Sequence, residues 1–244
     1  RSRWLGVEAH RNGAANAQSD RTDEFLAHFV TDAFFNYAWS IGDHEIAATV
    51  GLTTESRQHN VTSTSVSGFE FDYIETLNGG STLLSGTAFE RQKRLESYVA
   101  RVNYAYKDKY LASVSVRRDG SSVFGPNNKF GNFPAVSAGW RLSEEPFLAG
   151  NSILNNLKIR ASYGITVNDE FRTSGGRLVD WYPYLAIYTT NSAVVDNQVV
   201  GAFNAANIAN PNLQWERSVE FNPAIDFGFF ENRITGSVDY YKRT

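Results

Sequence analysis

Residues 157–167 read LKIRASYGITV. Taken every second residue, Leu157, Ile159, Ala161, Tyr163, Ile165 and Val167 are apolar. Lys158, Arg160, Ser162, Gly164 and Thr166 between them are polar or small. Successive side chains of a strand point to opposite faces, so this segment is a strand with one apolar face and one wet, cationic face. Two environments satisfy that pattern. One is a soluble core with solvent opposite. The other is lipid with a water-filled lumen opposite.

The pattern recurs along the chain. Residues 27–40 place Phe29, Ala33, Phe35, Tyr37 and Trp39 on one face, and residues 45–54 do the same with Ile46, Ala48, Val50 and Leu52. Tyr98, Ala100, Val102, Tyr104 and Tyr106 alternate within 96–106, as do Tyr110, Ala112, Val114 and Val116 within 110–118. Val136, Ala138, Trp140 and Leu142 alternate within 134–142. Beyond 157–167 follow 214–229 and 234–243, with Val219, Phe221, Ile225, Phe227, Ile234, Val238 and Tyr240. The reading is eight antiparallel strands and no helical period. Hairpin-sized turns are expected at 41–44 (IGDH), 107–109 (KDK) and 231–233 (ENR), and a longer connection at 143–156. Long Gly-, Ser- and Asn-rich loops are expected at 55–95, 119–133 and 168–213. Short turns at one end and long loops at the other are the arrangement of an outer-membrane barrel.

Composition narrows the function classes. The chain has 244 residues, room for one large β domain or two small ones, and a net charge of −3, with no basic excess for nucleic acid. It has no cysteine, which excludes disulfides and thiol chemistry. No run approaches the apolar length of a transmembrane helix, and none reads as a signal peptide. It has no methionine, even at position 1, so it reads as a piece of a longer protein. Aromatics are abundant, with 12 Tyr, 17 Phe and 5 Trp. Tyr37, Trp39, Tyr104, Tyr106, Tyr110, Trp140, Phe227 and Phe229 fall on the apolar faces at the short-turn ends of their strands. A membrane interface collects such rings at one level, whereas a soluble β-sandwich, the competing reading, has no reason to. Strands near ten residues also suit a tilted span better than a soluble sheet.

The stretch 98–147, with its RRDGSSVFG (117–125) and FPAVSAGWRLSEEPF (133–147) segments, closely resembles the SusC/RagA family of TonB-dependent outer-membrane transporters. LKIRASYGITVND (157–169) and residues 210–244 resemble later strands of that family, and GDHEIAATVGLTTE (42–55) fits more loosely. In residues 1–24 and 169–209 no such stretch is recognised. Val167 stands where a glycine is usual, and Pro223 stands where an ordinary strand residue is usual, so a bulge is expected near 222–224. The resemblance implies an all-β fold: an antiparallel transmembrane barrel of the 22-stranded type, of which 1–244 supplies about eight consecutive strands. The plug domain and the barrel C-terminus would lie outside this chain. It implies TonB-dependent import of a glycan or peptide nutrient across the outer membrane of a Gram-negative cell. Expected partners are a SusD-like lipoprotein lid, TonB through an N-terminal region outside this chain, and outer-membrane lipid. A passive porin and a soluble sandwich module for binding or adhesion are the alternatives.

No catalytic group, metal or cofactor is expected. HEIAA (44–48) is half a zinc motif, with Ala48 where the second histidine belongs. His59, Ser63 and Ser65 read as a polar loop, and Glu144–Glu145 as a solvated turn. Arg101, Arg117, Arg141, Lys158 and Arg160 share the polar faces of the middle strands, and Glu216, Glu220, Asp226 and Asp239 those of the last two. They are read as lumen-facing charges that line a substrate path or plug-docking surface, or that pair between neighbouring strands. The 168–213 loop is too aromatic for a disordered tail. Its Trp181, Tyr182, Tyr184 and Tyr188 are candidates for substrate or lid contact, against a packed loop core that only shapes the mouth.

Overall fold

The computed structural model describes residues 2–5, 17–71, 73–170, 182–195, 198–205 and 208–244. Among them the chain is antiparallel β-structure with two short 3-10 turns and no α-helix. The strands are β1 (Ser2–Leu5), β2 (Gln18–Ile41), β3 (His44–Phe69), β4 (Gly80–Tyr106), β5 (Tyr110–Ser121), β6 (Phe130–Arg141), β7 (Leu154–Asn168), β8 (Tyr188–Val195), β9 (Gln198–Ala205), β10 (Glu216–Phe229), β11 (Ile234–Asp239) and β12 (Lys242–Arg243). The main sheet runs β1-β2-β3-β4-β5-β6-β7-β10-β11, with β12 beside β10, and β8 and β9 form a separate hairpin. The eight expected spans are β2 to β7, β10 and the β11–β12 pair.

Turn chemistry sets the hairpins. Lys107 and Asp108 both have φ of 53°, and the Lys109 N–H donates to the Tyr106 carbonyl at 3.0 Å. Two central residues at positive φ match the right-handed twist of the flanking strands. Gly42 (φ 56°) serves the β2–β3 turn. Phe230, Glu231 and Asn232, all at positive φ, make the β10–β11 turn.

Several expectations need correction. Residues 55–95 are mostly strand: β3 runs to Phe69 and β4 starts at Gly80, leaving only 70–79 as the connection. The first three long strands have 24, 26 and 27 residues, whereas a tilted span needs about ten. The run ESRQHNVTSTSVSGF (55–69) carries polar residues on both faces, so it shows no apolar alternation and gave no strand signal. Likewise β5 extends to Ser121 and β6 begins at Phe130, which leaves 122–129 as loop. The 168–213 connection carries the β8–β9 hairpin. His59, Ser63 and Ser65 lie in β3, not in a loop.

No bulge occurs near 222–224. The β7–β10 register passes without a shift through Asn222↔Ser162 and Pro223↔Ala161, and shifts only between Gly228 and Phe229. Pro223 acts on the opposite side. Its carbonyl accepts from the Tyr240 N–H at 3.0 Å, so its missing donor also faces that strand. The ladder breaks there, and the expected single strand 234–243 divides into β11 and β12.

The chain divides into two compact units, residues 1–29 with 55–93, and residues 30–54 with 94–244. In the first, β1 pairs with the start of β2, and Ala17, Val66 and Phe69 bury together with Leu77 packed against them. In the second, Phe124, Phe133 and Trp215 form a buried ring cluster, with Leu95, Ile165, Val167 and Leu213 against it. The Trp215 ring lies 4.6 Å from Phe124 and 5.5 Å from Phe133, centroid to centroid. Gly125 is required here, because a Cβ would sit 2.8 Å from the Pro211 carbonyl oxygen. Ile165 and Val167 therefore serve this cluster at the long-loop end of β7.

Glu145 is not solvated. It is 9% exposed, and its Oε1 accepts from Tyr110 Oη at 2.7 Å and from Trp140 Nε1 at 3.1 Å. Lys109 Nζ lies 3.8 Å from its Oε2. The carboxylate, in the turn after β6, ties two neighbouring strands together through their terminal aromatic rings. The Tyr110 hydroxyl, then the Trp140 N–H, with Lys109 assisting, hold its pKa below the ordinary carboxylate value. A depressed folded pKa contributes stability that is complete above the unfolded value and is lost as pH falls through the folded one. Glu145→Gln in the full-length protein should lower the heat-unfolding midpoint at neutral pH. The gap from wild type should narrow in acid, below the ordinary value of 4.5, as the native carboxylate takes up its proton. A gap that stays constant across that range would show that the carboxylate's charge contributes nothing.

Candidate functional site

The registers place side chains in rows across the sheet. Tyr106, Tyr110 and Trp140 form one row, with ring centroids 6.2 and 6.3 Å apart. Tyr104 joins through His44, whose Nδ1 lies 2.8 Å from its hydroxyl oxygen. His44 also packs on Tyr106 at 4.8 Å, so the half zinc motif is part of an aromatic stack. Phe227 and Phe229 stand 5.6 Å apart at the same end of β10. Tyr37 and Trp39 are 55% and 47% exposed. Above this belt the same face continues with Val102, Val114 and Val136 in register, each about half exposed.

The opposite face is polar and made of small side chains. Asn103, Ser113, Ser137, Ser162 and Asn222 stand in successive register. They line a groove of about 540 Å³ with Ser40, Glu45, Lys158 and Arg160. Small residues at this row leave the space that longer chains would fill.

Most of the charges on this face pair within the wall. Arg160 Nε lies 3.0 Å from Asp226 Oδ2, and its Nη2 lies 2.8 Å from Asp239 Oδ1. Ala224 lies between Arg160 and Asp239 in register, and its small side chain lets the guanidinium reach across. Lys158 stands directly opposite Asp226. Arg117 Nε meets Asp119 at 2.7 Å, and its Nη2 donates to Ser97 Oγ at 3.1 Å. Arg141 pairs with Asp108 of the neighbouring turn. Glu216 Oε2 accepts from Asn168 Nδ2 at 3.1 Å.

Arg101 and Glu220 differ. Both line one groove with Ser113, Ser115, Ser137 and Ser162. The register runs Arg101, Ser115, Ala135, Gly164, Glu220, four strand spacings or about 19 Å. They cannot touch each other, and neither has an ion-pair partner among the described residues. A polar body in this groove would meet a cation on one side and a carboxylate on the other.

Of the loop aromatics, Trp181 lies outside the described residues. Tyr182 and Tyr184 are half-buried in a turn before β8. The Leu185 N–H donates to the Tyr182 carbonyl at 3.0 Å, and the Asn210 N–H to that of Tyr184 at 3.1 Å. Tyr188 opens β8 and is 65% exposed. Phe203 of β9 and Ile208 beyond it, unremarked in the sequence, are 74% and 90% exposed. Alternation in NQVVGAFNA (197–205) was too short to single Phe203 out. Also missed were Glu145 and the buried Trp215, since no local pattern tells a buried turn residue from a solvated one.

The comparisons agree with this geometry. Residues 3–244 match the family described as TonB dependent receptor-like, beta-barrel. The chain is 36% identical over 236 residues to TonB-dependent receptor P39 of Formosa agariphila, covering 96% of this chain and 22% of that protein. It is 30% identical over 219 residues to TonB-dependent receptor SusC of Bacteroides thetaiotaomicron, covering 86% of this chain and 20% of that protein. The structure of the RagAB peptide transporter superposes with a TM-score of 0.76 at 25% identity, over 93% of this chain and 24% of the other. The open-open state of the RagAB peptide importer gives 0.74 at 26% identity, with the same coverage. The chain thus spans about a fifth of the length of these curated relatives. A sheet of eight neighbouring long strands, two-faced by register and matched over nearly its whole length, belongs to the TonB-dependent receptor family as part of its SusC/RagA-type β-barrel.

Proposed function

We propose that this chain is barrel wall and extracellular loop of an outer-membrane importer that takes up a glycan or peptide nutrient with energy delivered through TonB. A SusD-like lipoprotein would close its outer mouth. The carrying observation is the two-faced sheet. One face exposes Val102, Val114, Val136, Tyr163, Phe221 and Ile225, all between 44% and 59%. Among the described residues no second layer covers it. So large an apolar surface is unusual on a soluble monomer and fits lipid. The other face, with its serines, Arg101 and Glu220, fits a wet lumen or a plug surface. Family membership favours energised import over a passive pore. The aromatic row from Tyr104 to Trp140, with Tyr37, Trp39, Phe227 and Phe229, would sit at the periplasmic interface. No covalent chemistry is involved. The peptide reading has the RagAB peptide-transporter likeness behind it, and growth on peptides against growth on oligosaccharides as sole source separates it from the glycan reading.

The β8–β9 hairpin is the proposed lid- or substrate-contacting element. Tyr188, Val200, Phe203 and Ile208 present apolar surface on it or beside it, and apolar surface on a long loop serves contact.

Arginine at Val114 or Ala138 in the full-length protein should destabilise the barrel by about 2–4 kcal/mol near the membrane midplane. Arginine at Ser113 or Ser137 on the other face should be far milder. Surface abundance of the four variants measures this, and equal losses at all four positions would defeat the two-face assignment. Deleting residues 176–205 should leave heat-modifiable migration of the barrel intact while abolishing uptake or lid co-purification. Normal uptake together with normal lid binding would remove the loop from the mechanism.

A further inference from the structure

Eight residues above the Tyr110 row, the outward face of β4–β6 changes character. Tyr98, Arg118 and Asn132 stand side by side in register. Val102, Val114, Val116 and Val136 lie between the two rows on the same face. Arg118 makes no ion pair among the described residues. Its guanidinium carbon lies 5.1 Å from the centroid of the Phe130 ring. That ring occupies a prepared place. Gly120 is opposite Phe130 in register, and a Cβ on Gly120 would lie 2.4 Å from a ring carbon. The glycine lets the ring lie across its own strand, and the ring presents its face to Arg118. The adjacent carboxylate, Glu96, accepts from the Tyr98 hydroxyl, which leaves Arg118 held by Phe130.

Distance gives this arrangement its meaning. Eight residues of strand rise about 27 Å, and at a tilt of 35–45° that is roughly 19–22 Å along the membrane normal. The outward apolar band of such barrels is about 25 Å tall. Arg118 therefore starts just below the upper edge of the band. It leans on Phe130, two residues further up the sheet, so its charge is carried toward the far interface, as long cationic side chains at membrane boundaries are. An outward cation at that level, held by a ring, faces the phosphates of the lipid headgroups.

We propose that Arg118, seated on Phe130 beside Tyr98 and Asn132, is a binding site for the phosphate of an anionic lipid in the leaflet at the long-loop end of the barrel. The planar guanidinium can donate two parallel hydrogen bonds to phosphate oxygens while its face stays on the ring. The Asn132 amide at the next register position supplies a further donor. The site is separate from the polar groove and from the hairpin, and it rests on the membrane reading above.

The test uses the purified full-length protein in detergent. Lipid A carrying its phosphates and enzymatically dephosphorylated lipid A are titrated in, and retention is read by native mass spectrometry. Wild type should retain the phosphorylated form preferentially. Arg118→Gln should weaken that retention about fivefold, the effect of one basic residue at an anionic membrane surface. Arg118→Lys should retain part of it. Arg233→Gln, in the β10–β11 turn at the other end of the strands, should leave it unchanged. Equal retention by wild type and Arg118→Gln, or of both lipid forms by wild type, would overturn the proposal. Displacement of the lipid by inorganic phosphate alone would overturn it too, by showing a free-anion site. Heat-modifiable migration of each variant separates these results from misfolding. Failure of the wild type itself to insert into liposomes would instead defeat the membrane reading.

Discussion

The antiparallel ladder is the constraint on which the rest of the molecule depends. Once β7 pairs with β6 and β10 in the observed register, side-chain period two assigns every residue of the wall to one face or the other. A slip of one residue would put Lys158 and Arg160 among the valines. The register is held at the short-turn end by positive-φ turns and by the Glu145 carboxylate between Tyr110 and Trp140. At the long-loop end the Phe124–Phe133–Trp215 cluster holds it. A sheet pinned at both ends needs little core between them. Among the described residues only eight apolar side chains are buried.

That economy of burial makes the faces functional. A sheet with no second layer among the described residues needs its apolar side covered by something else, and family membership makes lipid the natural cover. The polar side follows a different rule. Arg160 is neutralised by Asp226 and Asp239, one and two strands away, and Arg117 by Asp119 on its own strand. Arg101 and Glu220 lie too far apart for that, with only small side chains between them. The wall is thus mostly self-satisfied, with a narrow strip whose two charges have no ion-pair partner among the described residues.

The outward face shows the same economy at its upper edge. Gly120, Phe130 and Arg118 lie on two strands, and no one of them is informative alone. Together they seat a cation on an aromatic ring. On the proposed membrane reading, the aromatic row and this cation would bracket a stretch of valine and alanine nearly as tall as the outward apolar band of a membrane barrel.

Alternation in the sequence by itself determined the eight spanning segments, their two faces and the three tight turns. Period two is a local property, and each of these segments has one wet face and one apolar face to produce it. The family likeness in residues 98–147 added the barrel. What only the tertiary structure decided lies where that contrast fails. The 55–69 extension of β3 is strand with polar residues on both faces, so no alternation marked it. Pro223 was expected to bulge its strand, but its missing donor faces β11, so the break fell on the partner strand instead. Glu145 read as solvated because nothing within the turn shows that Tyr110, from another strand, closes over it. The pairing of Arg160 with Asp226 and Asp239 and the seat of Arg118 on Phe130 likewise join residues distant in sequence. Such contacts are set by which strands are neighbours and in what register, and a single strand read alone carries neither.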